Sequence, residues 1–370
     1  VIRILLVPLI ALVSALAPLA AAESTPAAAA LAEADRLVSV YNPDLLARVP
    51  GEKKPLTPIE NPFVGEPASD VAAKVRETTW LSSLVFLPFL VLPQVLLLYV
   101  IFKFRDRKDG RRPATFTGNH TLEIIWTAIP CVALLVVAVP VWKLAWWMEL
   151  PPVERATDGM RVEVIGRQYM WDYKYLKLGG GDDREGEKPI EVISNSALVP
   201  APLVLVKDRV VSLDMTSTDV NHAWWIPAFG IKQDAMAGRH TYAWFKPIKT
   251  GFYKGQCAEL CGEGHGIMLI SAVVVEAEQF RTEWLPLKRL ESEVNPVISS
   301  LRPAQPDPAA VTAAVKAFLA KGDTPERRTA LHFWVANHFA VAGRNRSGMN
   351  RDQFASHAST WRGAVAAAAL

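Results

Sequence analysis

The stretch QCAELCGEGHGIM, residues 256–268, gathers two cysteines, a histidine and a methionine, in a chain holding three cysteines and seven histidines in all. Residues of these types serve a disulfide, a thiol redox pair, a zinc loop or a copper site. The Cys-x3-Cys spacing of Cys257 and Cys261 fits several of these, so the pair alone does not choose. Its neighbours weigh more. His265 follows Cys261 by four positions and Met268 follows by three more. A thioether is a poor zinc ligand but suits copper, as do imidazole and thiolate. A mononuclear copper site takes one cysteine, two histidines and a weak axial methionine, so a histidine is needed from upstream. In the β-rich region that leaves His222 and His240. His222, in TSTDVNHAWWIPAFG, follows the alternating run RVVSLDM and opens an aromatic loop, which suits a ligand at the mouth of a sandwich. His240 reads as a surface position at a strand start. The second cysteine adds a further option. Two thiolates flanking one loop can bridge two metals, each with one imidazole, with the main-chain carbonyl of Glu259 as a weak ligand opposite Met268. Such a set leaves no open position for substrate and relays electrons.

The elements that must position these residues fall into blocks. The segment VIRILLVPLIALVSALAPLAAAES has one arginine, an apolar run and small residues before Glu23, the form of a secretory signal peptide over residues 1–22. Pro8 and Pro18 interrupt it, which argues against a third membrane helix. Residues 23–75 are rich in Ala and Pro and suggest an extracytoplasmic lead-in with one short helix. Residues 76–150 hold two long apolar runs, from Thr79 and from Ile124, each meeting the ~20 residues a bilayer requires. Trp80, Tyr99, Trp126, Trp146 and Trp147 stand near their ends, as interfacial aromatics do. KFRDRKDGRR between them places that loop in the cytoplasm by its basic excess and everything from Glu149 onward outside. Residues 151–285 carry about eight short β-rich runs (RVEVI, WDYKY, PIEVI, PLVLV, RVVSLDM, HTYAWF, GFYKGQC, LISAVVV) separated by Gly, Asp and Pro turns, the pattern of a β-sandwich or barrel. Residues 286–370 lack strands; 308–322 and 325–340 read as helices begun by Pro308 and Thr324. The fold class expected is thus a membrane-anchored all-β protein: a two-helix transmembrane hairpin, a β-sandwich and a helical C-terminal extension. The formal net charge of +3 gives no basis for nucleic-acid binding. Cys131, in an apolar run, reads as a small packing residue.

Over roughly residues 75–285 the chain resembles subunit II of haem–copper cytochrome c oxidases, two membrane helices followed by a cupredoxin domain. The pattern H…C-x-E-x-C-x3-H-x2-M is matched by His222, Cys257, Glu259, Cys261, His265 and Met268. The resemblance implies a binuclear copper centre, CuA, and an electron path from a c-type cytochrome through that centre to haem a in subunit I, where oxygen is reduced and protons are pumped. In the family the upstream histidine shares one copper with the methionine, and the downstream histidine shares the other with the glutamate carbonyl. It implies a magnesium ion shared with subunit I through the Glu259 side chain. IKQDAMAGR, residues 231–239, resembles the family segment packed on subunit I, which puts Lys232, Asp234 and Arg239 at that contact. HTLEIIWTAIP places Glu123 at the mouth of a proton path. Asp219 falls where the family presents acidic groups to a basic donor. The implied setting is a bacterial inner membrane with the copper domain on the periplasmic side, in contact with lipid, subunit I and the other oxidase subunits.

Two departures stand out. The family's aromatic run reads Trp-Tyr-Trp, whereas GRQYMWDYKY supplies Tyr169, Met170 and Trp171. Tyr169 thus occupies the usual point of electron arrival and Trp171 is kept beside it. Some relatives also carry a c-type haem after the copper domain; no cysteine follows Cys261, so no covalent haem attaches there. The rival readings are a membrane-anchored copper chaperone of the Sco type or a thiol redox protein, a quinol oxidase subunit and a nitrous oxide reductase. The β-only domain with His265 so near Cys261 argues against the first pair. The intact ligand set argues against the quinol enzyme, and the length against the reductase.

Overall fold

The computed structural model describes residues 26–43, 65–105, 117–150, 158–194, 200–301, 306–345, 360 and 363–364. The leader reading of residues 1–22 and most of the basic loop lie outside them.

Helix α1 spans Pro26–Tyr41, and the two long apolar helices are α2 (Asp70–Lys103) and α3 (His120–Glu149). Both have mean hydropathy 2.5 over their most apolar window, and that window buries none of its residues within the chain. Leu90 is 66% and Leu135 67% exposed. Side chains of that kind, kept out of the core on helices of this length, suit hydrocarbon or another apolar helix. The first helix starts at Asp70, ahead of the expected 76, because Ser69 caps it: its hydroxyl accepts from Ala72 N at 3.0 Å and donates to Phe229 O at 2.6 Å. The opening turn is therefore fastened to the soluble domain, with Val71 and Ala72 buried there. The far end of α3 is fastened too. Trp244 Nε1 donates to Met148 O at 2.6 Å, the Trp244 ring meets Trp147 edge-on at 4.8 Å, and Lys74 Nζ sits 4.6 Å from the Trp147 ring centre. Cys131, expected to pack, lies exposed on α3.

Among the described residues the outer domain has ten strands: β1 (Met160–Arg167), β2 (Met170–Lys177), β3 (Ile190–Val192), β4 (Leu203–Val206), β5 (Val211–Ser217), β6 (His222–Ile226), β7 (Ile231–Ala235), β8 (Thr241–Phe245), β9 (Gly251–Cys257) and β10 (Leu269–Val275). They form two five-stranded sheets, ordered β3-β2-β1-β5-β8 and β4-β10-β9-β6-β7. The eight runs legible in the sequence are all strands. The two additional ones, β6 and β7, correct the reading of HAWWI as loop; they pair antiparallel with His222 opposite Ala235. Alternation sets the core: β2 turns Trp171, Tyr173 and Tyr175 inward and leaves Asp172 and Lys174 less buried. With them in the core are Leu213, Met215 and Phe245 of the same sheet, Trp224 and Ile270 of the other, and Phe229, all fully buried, each contributing about 1.5–3 kcal/mol of apolar burial. The open edge of β4 is closed by one phenol: Tyr175 Oη donates to Val204 O at 2.9 Å and accepts from Val204 N at 2.8 Å.

Beyond β10 the chain is helical, and more so than its sequence suggested. Helix α4 (Leu285–Ser300) was not legible; α5 (Pro308–Leu319) and α6 (Pro325–Asn345) match the two expected helices closely. Val294, Val297, Ile298, Val311, Val315, Phe318 and Leu331 form a second core. Ala34, Leu37, Val38 and Tyr41 of α1 join the main core alongside Ala330 and Phe333 of α6. Three arginines fasten this annex: Arg36 to Glu283 at 2.7 Å, Arg281 to Asp182, and Arg289 to Glu187 at 2.6 and 2.8 Å. The lead-in is therefore not a bare tether, since its helix packs against the C-terminal extension.

Candidate metal centre

Strand pairing brings the candidate ligands together. β9 ends at Cys257, opposite Trp224 of β6, and His222 opens β6 two residues earlier. The loop leaves and returns across a closed pair of strands, because Cys257 N donates to Met268 O and Ala258 N to Ala223 O, both at 2.9 Å. Gly262, at φ +127°, makes the sharp turn a side chain would resist, and His265 N donates to Gly262 O at 3.1 Å to start a single 3₁₀ turn.

Inside this frame His222, Cys257, Cys261 and Met268 are buried and His265 is half-buried. The Cys257 and Cys261 sulfurs stand 3.9 Å apart. Cys257 Sγ lies 3.9 Å from His222 Nδ1 and 3.3 Å from Glu259 O. Cys261 Sγ lies 3.5 Å from His265 Nδ1 and 3.9 Å from Met268 Sδ. The ligand atoms of His222, Cys257 and Cys261 all fall within 4.8 Å of one another. Both cysteines are free thiols, well beyond the ~2.05 Å of a sulfur–sulfur bond. The Glu259 side chain points outward and is exposed, while its carbonyl faces the thiols.

The electrostatics bias the thiol pair. Burial pushes the Cys257 thiol up, but hydrogen bonds from His222 and the main chain outweigh it and hold the thiol well below its ordinary value. Burial and then the neighbouring Cys257 charge push Cys261 up. Of the two thiols, Cys257 is therefore the readier to ionise.

The remaining candidates divide. Asp219, expected to face a donor, has a side chain 31% exposed and turns one carboxylate oxygen to His222 Nε2 at 2.8 Å and the other to Gln168 N at 2.7 Å. Burial raises the Asp219 pKa, but these bonds outweigh it and leave the carboxyl below its ordinary value. Trp171 is wholly buried, its ring edge-on to His222 at 5.8 Å. Tyr169 is half-buried and lies on the loop: a Cβ on Gly264 would meet its ring at 2.4 Å. Of this aromatic pair, the tyrosine reaches the surface and the tryptophan lines the histidine. Lys232 and Asp234 sit on β7, Lys232 exposed with its Nζ 4.4 Å from the Trp225 ring centre, and Arg239 is exposed just beyond. Glu123 is in the first turn of α3, its carboxylate 3.4 Å from His120 Nδ1, roughly 35 Å of helix away from Trp147.

Some contributors went unread in the sequence. Gly166 of β1 leaves room for the imidazole, since a Cβ there would lie 2.9 Å from His222 Cδ2. Gln168 donates through Nε2 to Cys261 O at 2.7 Å. Their position in GRQY, next to the aromatic run, was the available signal.

The family comparisons agree with this architecture. The model described as the periplasmic domain of cytochrome c oxidase subunit II matches residues 160–277, and that of its transmembrane domain matches residues 67–144. The cytochrome c oxidase subunit 2 of Cereibacter sphaeroides is 30% identical over 260 residues, covering 65% of this chain and 83% of that one. A probable cytochrome c oxidase subunit 2 of Rickettsia bellii is 35% identical over 202 residues, covering 52% and 71%. Among solved structures, the periplasmic domain of subunit II of cytochrome oxidase of Bradyrhizobium japonicum is 32% identical, with a TM-score of 0.31, covering 36% of this chain and 95% of that domain. Two membrane-spanning helices, a cupredoxin-like sandwich and a buried His–Cys–Cys cluster, taken with the two family models and the similarity to the Cereibacter sphaeroides subunit, place the chain in the family of cytochrome c oxidase subunit II, the electron-transfer subunit of the oxidase.

Proposed function

We propose that the centre holds a binuclear copper unit, with His222, Cys257, Glu259 (through its carbonyl), Cys261, His265 and Met268 as ligands. The observation that carries this is the spacing of the sulfurs. At 3.9 Å they are too far apart to be bonded to each other, and both would be available to hold metal ions. An imidazole beside each sulfur, a thioether and an inward carbonyl fill out a donor set suited to copper. Bound there, a copper pair supplies reversible one-electron chemistry.

The chain's own residues do the rest. The closed strands β6, β9 and β10 hold the ligands still, and their burial excludes water, so an electron arrives and leaves with little rearrangement. A c-type cytochrome delivers it near Tyr169, whose ring lies on Gly262 and Gly264 of the loop, and the next acceptor is haem a in subunit I. Buried Trp171 packs against His222 on the same path. Lys232, Asp234 and Arg239 contact subunit I, the outward Glu259 carboxylate shares a magnesium ion there, and Glu123 opens a proton path on the opposite membrane face. The chain is read as a leader at 1–22, a lead-in at 23–75, a membrane hairpin at 76–150, a copper domain at 151–285 and an extension at 286–370, seated in a bacterial inner membrane with the sandwich on the periplasmic side. Metal analysis of the purified chain tests the central point: two coppers per chain are expected, and a single ion would sink it.

A further inference from the structure

We propose that Gln168 is a positioning residue for the metal loop, locking it to the β1–β2 turn that carries Tyr169; the inference rests on the copper reading of the site given above. Gln168 makes two hydrogen bonds in different directions. Its main-chain N–H donates to Asp219 Oδ2 at 2.7 Å, and its side-chain Nε2 donates to the Cys261 carbonyl, also at 2.7 Å. The other Asp219 oxygen lies 2.8 Å from His222 Nε2. A single residue therefore reaches two proposed ligands that come from distant parts of the chain: His222 through the carboxylate, Cys261 through its own main chain.

The turn bearing Gln168 is itself rigid. Arg167 grips Asp172 across the hairpin at 2.6 and 3.1 Å and donates to Ser194 O at 2.7 Å. Tyr169, the next residue, closes down on Gly262 and Gly264, where Cβ atoms would meet its side chain at 2.7 and 2.4 Å. The contact is thus continuous from the clamped turn, through the amide and the phenol ring, to the loop between Cys261 and His265. Cys261 lies outside the strands, and the turn-forming bonds that follow it begin only at Gly262 O. Among the described residues, the Gln168 amide is the hydrogen-bond donor that meets the Cys261 carbonyl. Side-chain amides that orient the groups around a metal ligand commonly set how firmly the ion is retained.

The test compares Gln168→Met, which keeps length and loses the donor, and Gln168→Glu, which cannot donate when ionised, with the wild type in the assembled oxidase. Copper content is expected to stay at the wild-type count, while its loss to a chelator speeds up about fivefold in both variants, the weight of one hydrogen bond of ~1 kcal/mol. Amide hydrogen exchange over residues 258–265 of the metal-free full chain is expected to quicken in both variants. Loss rates and exchange both matching the wild type would overturn the proposal, as would wild-type behaviour of Gln168→Met, which a space-filling role requires. If the wild-type chain retains no copper, the reading of the site falls, and the exchange comparison still decides the part assigned to Gln168.

Discussion

The carboxylate of Asp219 stands 2.8 Å from Nε2 of His222, on the side of the imidazole away from the thiols, while Nδ1 of the same ring faces Cys257 Sγ. A metal bound at Nδ1 would take the place of the proton that this nitrogen shares with the thiol, and Nε2–H would keep its bond to the carboxylate, which orients the ring. An acidic residue that looks like surface charge in sequence is therefore part of how the His222 ring is oriented.

Replacing Asp219 by Ala is expected to weaken copper retention about 10- to 100-fold, the usual cost of losing such a partner. Equilibrium competition with a chelator of known affinity measures it; a change of less than twofold would separate Asp219 from the ligand.

Cys257→Ser and Cys261→Ser should each remove the shared character of the centre, because both sulfurs lie within reach of an imidazole and of each other. Electron paramagnetic resonance of the purified oxidase reads this directly. A seven-line copper pattern persisting in either variant contradicts bridging by the pair.

Gly264→Ala puts a methyl group into the Tyr169 ring, so either the ring or the loop must move, at about 1–3 kcal/mol. The expected result is slower reduction by a c-type cytochrome in stopped-flow mixing, with copper content preserved. Removing the bulk with a second change, Tyr169→Ala, should relieve the stability loss but leave electron arrival slow.

Lys288 supplies a pH dependence remote from the His–Cys–Cys cluster. Its ammonium is buried, pairs with Glu291 and lies 5.0 Å from the Trp334 ring centre; burial holds its pKa below the ordinary lysine value despite that pair. The unfolded chain then binds the proton more tightly than the folded one. Stability accordingly rises with pH from the lowered value up to the unfolded value of about 10.4. Lys288→Met should raise the melting temperature at neutral pH and flatten that rise, since Glu291 is partly exposed and returns to water. Thermal melts of both chains from pH 7 to pH 10 decide it: parallel curves would remove Lys288 as the cause.

Tyr175→Phe isolates an element of the fold. It leaves Val204 N–H and C=O without their shared partner at a buried edge and is expected to cost about 1–3 kcal/mol, read as a lower melting temperature. An unchanged melt would mean that the strand edge finds other partners.

Much of the molecule is written locally. Two long apolar runs read as long apolar helices even with two prolines in each, and alternation in WDYKY or RVVSLDM fixes which side chains face inward, because both signals depend only on neighbours a few residues apart. The loop residues Cys257, Cys261, His265 and Met268 could be picked out for the same reason: they lie within one turn of chain. Long-range pairing is a different matter. His222 looked like the end of one strand and proved to begin another, since only its place opposite Ala235 and beside Cys257 makes β6 a strand. The partnership of Asp219 with the imidazole, the reach of Gln168 across 93 residues to Cys261, the burial of Trp171 behind Tyr169, and the packing of α1 against α6 all join segments distant in sequence. Residue types and short spacings determined which chemistry the chain can hold. Which groups hold the candidate cluster in place was decided by the folding of two sheets over one another, because hydrogen bonds and close packing act through space and leave no periodic trace along the chain.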